Sequence, residues 1–132
     1  MKFLLDTDIC IYAMKGNTNV LSHLLAKNGE EIVVSVITEA ELRTGAAKSS
    51  SPLQALRLVQ NFLRPINVAE FTSEDAATYA QIRAKLERAG TPIGPLDTLI
   101  ASQAFARKLT LVSNNVREFR RVTGLKVENW AG

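Results

Sequence analysis

Four short apolar runs, each separated from the next by one or two helix-length stretches, constrain this chain more than any other feature. They are residues 2–5 (KFLL), 31–36 (EIVVSV), 66–71 (INVAEF) and 109–113 (LTLVS). Each is short, apolar and bounded by polar or turn-forming residues, the pattern of a buried strand. A weaker fifth candidate is LKVENW at 125–130. Between the runs, residues 9–15 and 18–27 predict helices around a break at Gly16, and 38–48 and 52–63 predict two more across the turn KSSSP. A helix over 73–89 carries the apolar stripe Ala76, Tyr79, Ile82 and Leu86, with Glu74, Gln81, Lys85 and Arg88 toward water. The loop AGTPIGP then leads into a last long helix, 95–107, with Pro95 at its first position, where the missing N–H costs nothing. Strands alternating with helices predict an α/β fold, a three-layer α/β/α sandwich with a mostly parallel central sheet, as a single domain over 1–132.

Composition narrows the chemistry. One cysteine, Cys10, and one histidine, His23, exclude an internal disulfide, a cysteine-rich zinc cluster and a mechanism that needs a histidine acid and a histidine base. The single cysteine fits a reducing, cytoplasmic setting. Asp6 interrupts the apolar start MKFLL before a signal sequence could form, and no run approaches the length of a membrane span. A net charge of +3 is a mild bias toward anionic partners.

In parallel α/β sheets ligands bind outside the carboxyl ends of the strands, so acids at those ends are the candidates for function. Asp6 follows the first strand. Asp8, just before ICIYAMK, is the better helix cap. Glu41 lies near the end of the second strand, although Thr38-x-x-Glu41 also matches a capping box. Asp97 opens the helix PLDTLIASQAFA, on the side of Ile100, Ala101 and Ala104 rather than of Thr98 and Ser102, where a carboxylate needs a cation or hydrogen bonds. After the fourth strand, Asn115 or Glu118 could reach back to the same edge. Clustered carboxylates repel unless a cation sits among them, and oxygen-only donors suit a hard ion, Mg²⁺ or Mn²⁺. Such an ion activates water and neutralises a phosphodiester, which predicts a metal-dependent phosphodiesterase.

Taken together, LLDTDICIYAMKG, SVITEAELRTGA, GTPIGPLDTLIASQAFARKLTLVSNN and VREF resemble the PIN-domain ribonucleases, specifically VapC-type toxins. The resemblance spans nearly the whole chain and implies the same α/β/α sandwich. It places the family's catalytic acids on Asp6, Glu41 and Asp97, with Asp6 and Asp97, and Glu41 as a third, on the metal. The family's fourth position falls in Ser113-Asn114-Asn115, leaving Asn115 and Glu118 as alternatives, with Thr7 and Ser113 as supporting hydrogen-bonding residues. The resemblance further implies a type II toxin that cuts RNA, with tRNA and the initiator tRNA anticodon loop as the expected targets. Such enzymes leave a 5′-phosphate and a 3′-hydroxyl, and the resemblance implies a homodimer that pairs with a VapB antitoxin whose C-terminal segment occludes the site.

Lys85, Arg88, Arg107, Lys108, Arg117, Arg120 and Arg121 concentrate in the second half of the chain. Lys85 and Arg88 read first as a solvated helix face; Arg107, Lys108 and Arg117 are the candidates for RNA contact. With 6% aromatic residues for base stacking, phosphate contacts and RNA shape should dominate. Two rival readings remain: a haloacid-dehalogenase-type phosphatase, which Asp6-Thr7-Asp8 imitates but the rest of the chain does not support, and a catalytically silent RNA-binding or regulatory module on the same fold.

Overall fold

The computed structural model describes residues 1–132. The chain runs β1 (Phe3–Leu5), α1 (Thr7–Met14), α2 (Thr18–Leu25), a 3₁₀ turn (Gly29–Glu31), β2 (Ile32–Ser35), α3 (Val36–Ala47), α4 (Pro52–Leu63), β3 (Asn67–Ala69), α5 (Ser73–Arg88), α6 (Pro95–Ala106), β4 (Thr110–Val112), α7 (Val116–Phe119) and β5 (Val127–Glu128). All five strands are parallel, in the order β3-β2-β1-β4-β5. The fifth candidate strand is thus real but only two residues long.

Parallel strands need helices on both faces, and the side-chain alternation of each strand divides the core accordingly. Phe3, Leu5, Ile32, Val34 and Val112 pack with Ile9, Cys10, Val20, Leu42, Val59 and Trp130 under α1–α4. Leu4, Val33 and Leu111 pack with Leu86, Ile100, Ala101 and Phe119 under α5–α7. The predicted three-layer sandwich is the observed one. The chain lays β2 and β3 to one side of β1 and β4 and β5 to the other. The strand order therefore reverses between β1 and β4, and parallel α/β sheets carry their ligand crevice at the carboxyl ends of the two strands beside such a reversal.

Three local expectations are corrected. Asp6, not Asp8, is the cap of α1; its carboxylate accepts the Thr7 N–H at 2.8 Å. Thr38 does not cap α3, because Ser35 does so three residues earlier by accepting the Ile37 N–H at 2.9 Å. Thr38 is buried inside the helix and forms no box with Glu41. On α5, Ala76 is exposed and its neighbour Asp75 is buried instead, because the carboxylate is tied to Thr72 and Arg107. The break at Gly16 is where expected: its φ of +85° is a left-handed conformation that ends α1, and Asn17 then caps α2.

Candidate active site

The centre of the crevice is built on β1. The Asp6 N–H still donates to Val112 of β4 at 2.8 Å, so the first residue beyond β1 is held in register with the sheet. That leaves the Asp6 carboxylate at the mouth of the crevice, 5% exposed. Ser113, the first residue after β4, donates its hydroxyl to Asp6 Oδ2 at 2.7 Å and accepts the Asn115 N–H at 2.9 Å. Ser113 therefore fixes both the carboxylate and the following loop. Thr7, one residue on, donates its hydroxyl to Glu41 Oε1 at 2.8 Å and lies 3.0 Å from the Thr38 hydroxyl. Glu41 reaches the crevice from the second turn of α3, and this bond ties it to α1.

Asp97 arrives from the opposite layer. Gly94 and Pro95 open α6, and a Cβ at Gly94 would stand 3.4 Å from Asp97 Oδ2, so the turn fits closely around the carboxylate. The other polar residues of this helix are buried rather than turned to water. Thr98 and Ser102 bond to backbone carbonyls one turn back, at 2.8 and 2.6 Å, and Gln103 donates to the Glu70 carbonyl at 2.9 Å. The alternatives left at the fourth position act together: Asn115 Nδ2 donates to Glu118 Oε2 at 3.0 Å, and the Glu118 charge is felt at Asp97. The two side chains are therefore joined next to Asp97, with Glu118 the one that bears a charge.

The electrostatics are those of acids without counter-ions. Asp6 is pushed up to about 7, first by burial, then by Asp8, against the lowering influence of the Ser113 and Thr7 hydrogen bonds. Burial also raises Asp8, which the Asn114 N–H partly offsets at 3.1 Å. Asp97 is raised by burial and then by Glu41, Glu118 and Asp8. None of these acids forms an ion pair; the four ion pairs of the molecule are Lys2–Glu31, Arg43–Glu39, Arg83–Glu87 and Arg107–Asp75. Asp8 Oδ1 is buried without a hydrogen-bond partner. Cys10 lies beneath the acids, where burial and their charges raise its thiol and keep it protonated, so it is no nucleophile.

An uncompensated acidic cluster of this kind fits a hard divalent ion. No three of the acids stand close enough to enclose an ion by themselves. That suits Mg²⁺, which takes one or two carboxylates and completes its shell with water and substrate phosphate.

Among the predicted nucleic-acid contacts, Arg107 is the exception. Its guanidinium is spent on Asp75 Oδ2 (2.9 Å) and the Glu70 carbonyl (2.7 Å), at the end of α6 far from Asp97. Lys108 follows it with φ of +56°, exposed. Arg117 is exposed on α7, beside Glu118. Asn114 and Asn129 were not singled out by the sequence. Asn129 Nδ2 donates to Asn114 Oδ1 at 3.1 Å and so buttresses the loop that holds Asp8. They lie 15 residues apart, and only the β4–β5 pairing brings them together.

Comparison with known proteins agrees with this geometry. The PIN domain family model matches residues 3–125. The chain is 40% identical over 131 residues to a tRNA(fMet)-specific endonuclease VapC of Shigella flexneri, covering 99% of both chains. It is 39% identical over 130 residues to the protein of the same name from Salmonella typhimurium, covering 98% of both. A crystal structure of DNA-bound VapBC from Salmonella typhimurium superposes with a TM-score of 0.94 over 98% of each chain, at 39% identity. The family match, the relatives and the superposed fold agree, and the chain belongs to the PIN-domain family, in its VapC group.

Proposed function

We propose that this protein is the toxin of a type II toxin–antitoxin pair, a Mg²⁺- or Mn²⁺-dependent endoribonuclease acting on tRNA. The observation that carries the reading is the set of acids at the β1–β4 switch point, none of them in an ion pair with a lysine or arginine. The names of the Shigella and Salmonella relatives favour the initiator tRNA as the target.

Asp6 and Asp97 would hold the ion, directly or through water, with Glu41 completing the set through a bound water or orienting the attacking water. A divalent ion there supplies a more acidic water and neutralises charge developing on the phosphate. The remaining work belongs to the chain. The Ser113 hydroxyl and the Thr7 N–H keep Asp6 in one orientation, and both bonds favour its charged form. The Thr7 hydroxyl likewise holds Glu41 in one orientation. Glu118, steered by Asn115, closes the crevice beside Asp97. Water adds to phosphorus as the bond to the 3′-oxygen breaks, leaving a 5′-phosphate and a 3′-hydroxyl. No side chain forms a covalent intermediate.

A VapB-type antitoxin is the expected partner, because the structural relatives from Salmonella and Rickettsia felis are VapBC assemblies. An apolar groove of about 540 Å³ between α1, α3 and α4, lined by Ile11, Met14, Leu42 and Leu58, runs up to Glu41 and offers such a segment a seat beside the acids. The toxin would assemble with it as a homodimer.

The test is cleavage of a total tRNA pool by purified protein with Mg²⁺, with EDTA, and with Asp6→Asn. Cutting only in the first condition is expected. Cutting that persists in EDTA, or in a folded Asp6→Asn protein, would refute the metal-site assignment, and no cutting of any RNA would refute the activity.

A further inference from the structure

The acids leave open how a folded RNA far larger than the crevice is held. Two hollows, of about 210 and 300 Å³, lie side by side on the face formed by α5, the end of α6 and the segment after α7. Lys85 and Arg121 line the first, Lys108 and Lys126 the second, and Phe105 stands between them as a wall of both. No carboxylate lines either hollow, and none of the four cations is in an ion pair. All four are exposed, and the Phe105 ring is 42% exposed. The ring is also held in place. Gly124 passes beside it with φ of +87°, and a Cβ there would meet Phe105 Cε2 at 3.4 Å. A fixed, exposed aromatic among unpaired cations is the composition of a surface that stacks a base and tracks a phosphate backbone.

The position connects it to the site. Arg121 donates to the Pro92 carbonyl at 2.9 Å, in the loop that leads into Asp97, so one end of the track abuts the catalytic loop. Phe105 is eight residues along α6 from Asp97, about 12 Å at the helical rise. We infer that this face, Lys85–Arg121–Phe105–Lys108–Lys126, is a second RNA-contact surface that grips the substrate's backbone away from the scissile bond. The inference rests on the ribonuclease reading for its substrate, but charge and shape carry it independently of the acids. A neutral or basic protein partner would leave four cations without a counterpart, whereas RNA supplies one phosphate for each and a base to stack on Phe105.

Binding and cleavage separate the two readings. The binding arm uses Asp6→Asn protein and unfractionated tRNA as the probe. Adding Lys85→Gln and Lys126→Gln should weaken affinity about tenfold near 0.1 M salt and flatten the slope of log K against log salt by about 1.5. Phe105→Ala should weaken it about fivefold or more with the slope unchanged. In the cleaving protein, Lys85→Gln/Lys126→Gln should raise KM for tRNA and leave kcat unchanged, and a short oligonucleotide carrying only the mapped cut sequence should be cleaved as before. Unchanged tRNA affinity and slope would overturn the inference. So would equal losses on tRNA and the short oligonucleotide, or a loss confined to antitoxin binding, which would mark a protein interface. If the parent protein cuts no RNA, the ribonuclease reading fails, and the binding arm still decides this surface.

Discussion

Asp75 and Arg107 give the sharpest test of how a sequence-predicted RNA contact became a structural tie. Asp75 is 1% exposed; its Oδ2 accepts the Thr72 N–H at 2.9 Å and the Arg107 guanidinium at 2.9 Å, and its own N–H donates to Thr72 Oγ1 at 3.3 Å. Asp75→Ala removes half of a reciprocal capping box, which costs about 1 kcal/mol. It also removes a charge-assisted bond to Arg107. That bond is taken at the low end, about 1.5 kcal/mol, because the arginine is 26% exposed and keeps the Glu70 carbonyl. A loss of about 2.5 kcal/mol near pH 7 is expected in urea unfolding, with clear coupling between Asp75→Ala and Arg107→Ala in a double-mutant cycle. The pH dependence supplies a second readout. Thr72 and Arg107 hold the Asp75 carboxyl below its usual value near 3.8, against the opposing influence of its burial. A folded pKa below the unfolded one gives stability that is present above the unfolded value and is lost as pH falls through the folded one. The gap between wild type and variant should therefore shrink below about pH 4. A gap below about 0.5 kcal/mol at pH 7, outside the range expected for the removed bonds, would refute the reasoning, as would one independent of pH. Arg107→Ala should likewise act through stability and leave the salt slope of RNA binding nearly unchanged.

Thr7→Val keeps the shape of the side chain and deletes its bond to Glu41. Cleavage should fall about 10- to 100-fold, the equivalent of one charge-assisted hydrogen bond, measured as kcat on tRNA at a temperature where circular dichroism shows the variant fully folded. Trp130 is 1% exposed, edge-on to Phe3 at 5.2 Å and stacked on His23 at 5.0 Å. Trp130→Ala should cost about 3–5 kcal/mol in urea unfolding followed by circular dichroism, and a loss under about 1 kcal/mol would mean that the ring does not close the core.

Element type was readable because the strands are short, apolar runs and the helices carry caps and breakers. Boundaries were less so, for reasons visible in particular residues. Ser35 ends a strand and caps a helix at once, and a capping-box pattern three residues later drew the start of α3 to Thr38. Along α6, Thr98, Ser102 and Gln103 look like a wet face, yet all three are buried, because backbone carbonyls on α6 and after β3 accept from both hydroxyls and from the Gln103 amide nitrogen, leaving only Gln103 Oε1 without a partner. Asp6, Glu41 and Asp97 were legible as strand-end and helix-start acids, since a parallel sheet gathers such residues at one edge. The partnership of Asn115 with Glu118, and of Asn129 with Asn114, was not. The first pair is an i, i+3 contact that appears only once Val116–Phe119 is known to be a helix with Asn115 at its N-cap, and the second depends on where β5 joins the sheet, which no local spacing records.

The acids also make the molecule less stable than it could be, and that yields a prediction with an unusual sign. Asp97 is half-buried, and three other carboxylates, on Glu41, Glu118 and Asp8, raise its pKa along with its burial. Each ionised neighbour disfavours the charged form, and no cation of the chain offsets them. Asn at this position has nearly the same shape and no charge. Asp97→Asn should therefore melt higher than wild type in EDTA, the reverse of the usual effect of a substitution. Wild type should gain stability on adding Mg²⁺ or Mn²⁺, since an ion that binds only the folded chain shifts the equilibrium by mass action. The variant should gain little and cut no RNA. A variant that melts lower than wild type in EDTA would show that the acid is held by favourable contacts, and the case for a cation site would lose its physical basis. The opposite order of melting would mean that the chain keeps a strained acid for what it does rather than for how it folds.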